Sequence, residues 1–273
     1  MIFKPLPPIP GPFAVRPRPL VMAHRGSSAR APENTLAAFR LAIEEGADLV
    51  ETDLHVTRDD VFVCVHDATL ERTGGVPLAV ADATFEELRR HSVGCGMPAF
   101  AGELVPSLAD LTGILPGDRG LALELKSDRF LEPELCRGLA SEVRAAGVFE
   151  RTVFLSFSAA RCDALRAVAP DAWTGIVTMT HPFPDLDARL LGPLWLLLLV
   201  NPLYPWLAHR RGRFVAPLDD RPDRLLWYYR LIGCDAVLTN DPATTLRKLG
   251  RAPPLGSTGE LPQAGEGGVE GGE

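Results

Sequence analysis

Short apolar runs alternate with longer stretches of helical spacing along most of the chain, and this alternation limits the possible folds more than any other feature. Strands separated by helices are typical of one parallel sheet. The predicted strands cover residues 20–24, 48–55, 121–126, 152–156, 173–178, 194–200, 214–217 and 236–238. In 273 residues, eight such units predict an α/β fold, a closed (β/α)8 TIM barrel. An open doubly wound sheet is the alternative, although no G-x-G-x-x-G motif follows the first strand.

The helix signals agree with this arrangement. The first predicted helix covers residues 35–45, where apolar side chains recur at spacings of three and four, and Asn34 is its predicted N-cap. The last helix is predicted to begin at Pro242, because Asn240 and Asp241 are capping residues and proline suits a first helical turn.

One region interrupts the alternation. Residues 61–66 predict an extra strand that ends at His66, and residues 67–106 contain turn, glycine and proline signals. We therefore expect a small insertion after the second strand, at the C-terminal face where barrel active sites lie. The predicted organisation is an extension (1–19), one barrel domain (20–250) and a tail (251–273) whose glycine, proline and glutamate content predicts disorder.

The amino-acid composition limits the kinds of molecule that this protein is expected to bind and the compartment in which it is expected to lie. The net charge is −7 and no stripe of Lys or Arg occurs, which argues against nucleic-acid binding. The five cysteines are scattered without a C-x-x-C pair, which is typical of free thiols in a reducing compartment. Because the N-terminus also lacks the pattern of a secretory signal, we predict a cytoplasmic protein.

The most apolar run, residues 194–200, has the sequence LWLLLLV. It is far shorter than the roughly 20 residues that span a bilayer, so no transmembrane segment is predicted. A strand buried on both faces is the favoured interpretation. A peripheral membrane contact through Trp195 and Trp206 is the alternative.

Acidic residues stand near the ends of two predicted neighbouring strands. Glu51 and Asp53 are two residues apart, so they share one strand face and lie about 7 Å apart along it. Glu124 occupies a similar position in the next barrel strand. Three carboxylates at the C-terminal ends of adjacent strands predict a site for a hard cation, Mg²⁺ or Ca²⁺. The alternative is that they are solvated loop acids.

Histidines and cations accompany these acids. His24 ends the first strand and His66 the extra strand, and imidazoles there could divide general-acid and general-base work. Arg25 and Lys126 are suited to bind a phosphate group, or alternatively to balance the carboxylates. His55 has a predicted supporting role. Together these residue types indicate metal-assisted cleavage of a phosphate ester.

At these residues the sequence resembles the glycerophosphodiester phosphodiesterase family. The matching pieces are AHRG (23–26), PENT (32–35), GADLVETDLHVTRDDVFVCVHD (46–67), LERTGG (70–75), LALELK (121–126), LSF (155–157) and GCDAVLTNDP (233–242). The resemblance implies a TIM barrel with an insertion and metal-dependent hydrolysis of glycerophosphodiesters to glycerol 3-phosphate and an alcohol. It implies catalytic His24 and His66, the metal ligands Glu51, Asp53 and Glu124, and the phosphate contacts Arg25 and Lys126.

The sequence departs from the family near the seventh strand, where Ala216-Pro217 replaces a tryptophan that usually lines the substrate pocket. A lipid phosphodiester, cleaved by a lysophospholipase D-like or sphingomyelinase D-like activity, is therefore the alternative substrate class. A catalytically silent barrel that binds phosphorylated metabolites is a third hypothesis. The choice between water and the substrate's glycerol hydroxyl as nucleophile is open.

Overall fold

The structure is a computed structural model that describes residues 17–251. Most of the predicted N-terminal extension (residues 1–16) and nearly all of the predicted disordered tail (residues 252–273) lie outside the described residues. The described part contains one barrel, as the sequence predicts.

Eight parallel strands and one antiparallel strand form the sheet. The order around the barrel is β8-β7-β6-β5-β4-β2-β1-β9, and β3 pairs with β2 in the antiparallel sense. The strands are β1 (Leu20–Ala23), β2 (Leu49–Val56), β3 (Phe62–Cys64), β4 (Gly120–Leu125), β5 (Thr152–Ser156), β6 (Trp173–Thr178), β7 (Leu190–Pro193), β8 (Phe214–Val215) and β9 (Ala236–Thr239).

Asp235 joins the two ends of the sheet. Its backbone N–H donates to the Val215 carbonyl at 2.8 Å, and its carboxylate accepts from the Val215 N–H at 2.8 Å. These bonds connect β8 to the start of β9, so the barrel is nearly closed. The predicted α/β class and (β/α)8 TIM-barrel architecture are confirmed.

Residues 17–251 contain ten α-helices. They are α1 (Leu36–Glu44), α2 (Glu71–Gly74), α3 (Phe85–Leu88), α4 (Leu108–Ile114), α5 (Pro133–Ala145), α6 (Ala159–Val168), α7 (Trp195–Val200), α8 (Tyr204–Arg210), α9 (Leu226–Ile232) and α10 (Pro242–Lys248). The N-cap of α1 is Thr35, whose hydroxyl accepts from the Ala38 N–H, and not Asn34 as predicted.

The insertion lies between β3 and α4, as predicted. It contains α2 and α3 and encloses its own apolar cluster, in which Val63, Leu70 and Leu88 are buried. The extra strand is shorter than predicted, because its ladder with β2 ends at Cys64. His66 therefore lies two residues beyond the strand.

The predicted strand at residues 194–200 is wrong. Leu190–Pro193 forms the strand, paired in register with β6, and Trp195–Val200 forms the helix α7. A short apolar run does not distinguish a buried strand from a helix, and leucine has high helix propensity. Only Leu198 of α7 is buried, whereas a strand inside the sheet would bury both faces.

Residue alternation in the strands separates the inside of the barrel from its outer layer. Met22, Ala122 and Leu155 belong to a cluster inside the barrel, whereas Val21 and Val237 pack against the outer helices. In the described residues no helix has the length and apolarity needed to cross a bilayer. The predicted cytoplasmic location stays a prediction.

Candidate active site

The strand faces place the predicted acids together. Leu49 lies inside the barrel, so Glu51 and Asp53, which share its face, also point inward nearer the C-terminal end. Ala122 and Glu124 have the same relationship in β4. Asp53 is paired directly with Glu124 in the parallel register of β2 and β4. The two strands therefore bring the carboxylates to one end of the barrel.

The three carboxylates form one compact group. One oxygen from each of Glu51, Asp53 and Glu124 lies within 4.8 Å of the other two. Burial, followed by the charges of its two carboxylate neighbours, raises the pKa of Glu51 well above its ordinary value. Burial and the charge of Asp53 likewise raise the pKa of Glu124. Such repulsion between buried acids is relieved when a cation binds them.

Asp53 provides the test of whether these residues fit a metal. Its Oδ2 accepts from Asn34 Nδ2 at 3.0 Å and lies 3.1 Å from Arg25 Nε. Its Oδ1 is buried and receives no hydrogen bond within residues 17–251, and Lys126 Nζ is 3.5 Å away. A buried carboxylate oxygen without a donor, beside two further carboxylates, fits a hard divalent cation.

The turn after β1 aims Arg25 at this group. Arg25 adopts a positive φ of 57°, and its N–H donates to Glu51 Oε2 at 2.9 Å. Gly26 follows at φ 80°, and a Cβ there would lie only 2.6 Å from the Ala38 backbone. Glycine is thus required at this position, which explains the Arg25-Gly26 pair after the strand.

His24 is oriented by a residue that follows β9, the strand next to β1. Its Nδ1 lies 2.7 Å from Asn240 Oδ1, directly after β9. The amide oxygen is an acceptor, so Nδ1 carries the proton and Nε2 is left as the free acceptor. Burial, and then the charge of Arg25, lower the pKa of His24, which favours the neutral ring.

His66 is oriented by a carboxylate. Its Nδ1 lies 2.6 Å from Asp67 Oδ1, and Asp67 Oδ2 accepts from Arg72 Nε at 2.6 Å. Arg72, from α2 of the insertion, also donates to both oxygens of Glu33. The predicted supporting residue His55 contacts the His66 carbonyl through Nε2 at 3.1 Å.

A cavity of about 280 Å³ opens above the acidic group. Its polar lining residues are His24, Arg25, His66, Glu124, Lys126, Asp219 and Asp220, and the rest of the lining is apolar. The structure therefore brings all seven predicted site residues to one end of the barrel. Lys126 Nζ lies 3.2 Å from Glu124 Oε1, so the predicted pairing of cations with carboxylates is also present.

The apolar wall of this cavity includes Trp195, Phe157 and Leu218. Trp195 begins α7, and its N–H donates to the Leu218 carbonyl at 3.3 Å. An aromatic side chain thus stands beside the segment where Ala216-Pro217 replaces the family's tryptophan.

Several residues of the site are not predicted from the sequence. The sequence indicates only helix caps at Asn34 and Asn240, and it indicates no site role for Arg72. Asn240 directly follows a strand, so the criterion that identified His24 would also have found it. No local signal identifies the partners of Asn34 and Arg72.

The sequence model of the "Glycerophosphoryl diester phosphodiesterase family" matches residues 24–244. The chain belongs to this family. The family predicted from the sequence motifs is confirmed, and with it the enzyme class, a phosphoric diester hydrolase.

Individual relatives agree with this assignment. A glycerophosphodiester phosphodiesterase from Caldanaerobacter subterraneus subsp. tengcongensis is 29% identical over 83% of this chain and 96% of its own length. The structure of an Oleispira antarctica phosphodiesterase in complex with the product sn-glycerol-3-phosphate has a TM-score of 0.76 and 25% identity, covering 85% of this chain and 97% of that one. A glycerophosphodiester phosphodiesterase from Agrobacterium tumefaciens has a TM-score of 0.71 and 26% identity over 82% and 98% of the two chains.

Proposed function

We propose that this enzyme hydrolyses glycerophosphodiesters to glycerol 3-phosphate and an alcohol, with a divalent cation held by Glu51, Asp53 and Glu124. One observation carries the proposal: the three carboxylates and two histidines meet at one cavity. The two histidines differ in their partners, since His24 contacts an amide oxygen and His66 contacts a carboxylate. The family match and the product complex of the Oleispira antarctica relative support the substrate class.

Two positively charged side chains are placed to bind the phosphate of the substrate. Arg25 and Lys126 line the cavity, and each also lies within 3.5 Å of the Asp53 carboxylate. Their charges would balance the phosphoryl oxygens and keep the phosphorus near the acidic group. When bound, Mg²⁺ or Ca²⁺ would supply Lewis-acid stabilisation of charge on a phosphoryl oxygen.

The different partners of the two histidines support different roles. Nε2 of His24 is the free acceptor of a neutral ring, so we assign it as the base that takes a proton from the attacking water. A protonated His66 ring would have its charge balanced by Asp67, so we assign His66 as the acid. As the new P–O bond forms and the ester P–O bond breaks, His66 gives its proton to the departing alcohol oxygen.

The test uses purified full-length protein stripped with EDTA and supplied with Mg²⁺, Ca²⁺ or Mn²⁺. Glycerophosphocholine is the substrate, and glycerol 3-phosphate is measured. We expect metal-restored turnover, and a loss of about 10²–10⁴ in kcat for His24→Ala and for His66→Ala. His91→Ala is the matched control, because His91 is not among the residues that line the cavity.

Near-wild-type turnover in both histidine variants would overturn the assigned catalytic roles. Turnover that EDTA leaves unchanged would overturn the metal site. A cyclic phosphate as first product would identify the glycerol hydroxyl, and not water, as the attacking group.

A further inference from the structure

Exposed apolar side chains are concentrated on one side of the barrel. Of the ten large apolar side chains that are exposed within residues 17–251, eight belong to the loop after β6, to α7 and the residues after it, or to α9. On α7 and just beyond it these are Leu196, Leu199, Val200 and Leu203. Val200 is 79% exposed, and three of the six apolar residues of this helix are exposed.

The three segments are neighbours. Asn201 Nδ2, at the end of α7, donates to the Pro182 carbonyl in the loop after β6 at 3.0 Å. Tyr228 of α9 donates its hydroxyl proton to the Leu198 carbonyl of α7 at 2.6 Å. Their exposed side chains therefore belong to one region, which we call the apolar shoulder: residues 179–183, 195–203 and 224–231.

The apolar shoulder adjoins the mouth of the active site. The loop and α7 directly follow the C-terminal ends of β6 and β7, the barrel end that carries the catalytic histidines. Trp195, the first residue of α7, lines the active-site cavity. A flat surface in contact with α7 would therefore lie next to the cavity.

Basic side chains accompany the apolar ones. Residues 194–231 contain six arginines and three aspartates, a net charge of +3, whereas the whole chain has −7. Trp227, Arg230 and Leu231 are exposed at spacings of three and four, so they share one face of α9. Arg224 is also exposed and ends the 3-10 turn just before this helix. Arg224 and Arg230 form no ion pair within the described part of the chain.

The aspartates of this segment are engaged elsewhere. Asp219 accepts from the Tyr229 hydroxyl at 2.6 Å, Asp220 accepts from Asn240, and Asp223 pairs with Lys248 at 3.2 Å. The apolar shoulder itself contains Arg224 and Arg230 and no acidic residue, so its own charge is cationic. Exposed leucine, valine and tryptophan beside arginines that form no ion pair among residues 17–251 are typical of a surface that lies in the headgroup region of an anionic bilayer.

We propose that the apolar shoulder docks the enzyme on the surface of an anionic lipid bilayer. The leucines, valine and tryptophan enter the interface, and Arg224 and Arg230 contact the lipid phosphates. This site is separate from the residues assigned to catalysis, so it stands independently of the proposed function.

The test is co-sedimentation of the full-length protein with vesicles of phosphatidylcholine, either pure or mixed with an equal amount of phosphatidylglycerol. We expect binding to the mixed vesicles that weakens with added salt. The double variant Leu199→Asp/Val200→Asp should weaken binding by about tenfold or more, because charge is placed where apolar area enters the interface. Arg224→Gln/Arg230→Gln should weaken it by a factor of about ten or more, since each basic residue near an anionic surface contributes several-fold.

Leu131→Asp is the matched control. Leu131 and Leu199 are both 45% exposed, but Leu131 follows β4, three strands away from β7 in the barrel order. This variant should bind vesicles like the wild type. Thermal unfolding should be unchanged in all variants, which shows that they are folded.

Failure of the wild-type protein to bind the mixed vesicles overturns the proposal, as does equal binding by the shoulder variants. Sedimentation velocity without lipid tests whether the apolar shoulder instead binds a second copy of the chain. A dimer that the shoulder substitutions dissociate, together with no vesicle binding, would assign this surface to a second copy of the chain and overturn the membrane assignment.

Discussion

The imidazole Nδ1 of His24 lies 2.7 Å from the amide oxygen of Asn240, although 216 residues separate them in the sequence. The two residues follow β1 and β9, which are adjacent in the sheet. This contact decides which ring nitrogen of His24 carries the proton, and therefore which one faces the substrate as a base.

Asn240→Ala should lower kcat by about tenfold to a hundredfold, because the ring loses the acceptor that fixes its tautomer and orientation. The KM for glycerophosphocholine should change little. Steady-state kinetics with thermal unfolding as a fold check is the measurement. Ser28→Ala is the control, because the Ser28 hydroxyl donates to the same amide oxygen at 3.1 Å without touching the imidazole. Equal losses in the two variants would contradict the tautomer role.

The acid limb of the pH–rate profile should lie below pH 6.5. A base is active when neutral, and burial and the charge of Arg25 lower the pKa of His24 below its ordinary 6.5. Asn240→Asp adds a negative charge next to the ring, which favours the protonated form and should move the limb towards higher pH. Profiles of kcat/KM and NMR titration of the histidines measure this shift. An unmoved limb would exclude His24 as the group that titrates.

Glu51→Gln should stabilise the metal-free protein and abolish its response to metal. Glu51 is only 3% exposed, and its charge adds to two nearby carboxylates. In the wild type, Mg²⁺ or Ca²⁺ at a hundredfold excess over Kd should add about 2.7 kcal/mol to the free energy of unfolding. Thermal unfolding of EDTA-treated protein, with and without metal, is the measurement.

The control for this prediction is Glu45→Gln, which removes another buried glutamate. Glu45 is paired with Arg30 at 2.6 Å and with Ser27, away from the carboxylate group. This variant should keep the full metal-induced increase in stability. A Glu51→Gln protein with the same increase would show that the cation binds elsewhere.

Arg72 should act as a positioning residue for His66. Its guanidinium holds Asp67, which in turn holds His66 Nδ1. Arg72→Ala should lower kcat by about tenfold or more, part of what a general acid contributes. Arg72→Lys should recover only some of it, because lysine keeps the charge but loses the forked donor geometry that spans Asp67 and Glu33.

Arg58→Ala provides the comparison for Arg72. Arg58 is also partly exposed and pairs with Glu87 of α3, in the same insertion, at 2.9 Å. It should leave kcat unchanged. If Arg58→Ala and Arg72→Ala lowered kcat equally, the effect would come from general loosening of the insertion.

The three acidic residues of the site could be predicted from the sequence because strands impose a strict alternation. Once Leu49 and Ala122 are assigned to the inside of the barrel, Glu51, Asp53 and Glu124 must share that side. The parallel barrel then places every strand's C-terminal end at one face. His24 and Arg25 could be placed at that same face because they follow the predicted end of the first strand.

The sequence by itself thus determined the barrel, its insertion and the acidic residues that meet at one end. Only the tertiary structure decided that residues 195–200 form a helix, because the register with β6 places the strand at residues 190–193 and leaves the leucines outside the sheet. It also decided that Asn34 holds Asp53 and that Asn240 holds His24. The Asn240 contact depends on the pairing of β9 with β1, which joins residues whose separation in sequence carries no local pattern. The Asn34 contact depends on how the loop after β1 folds over β2.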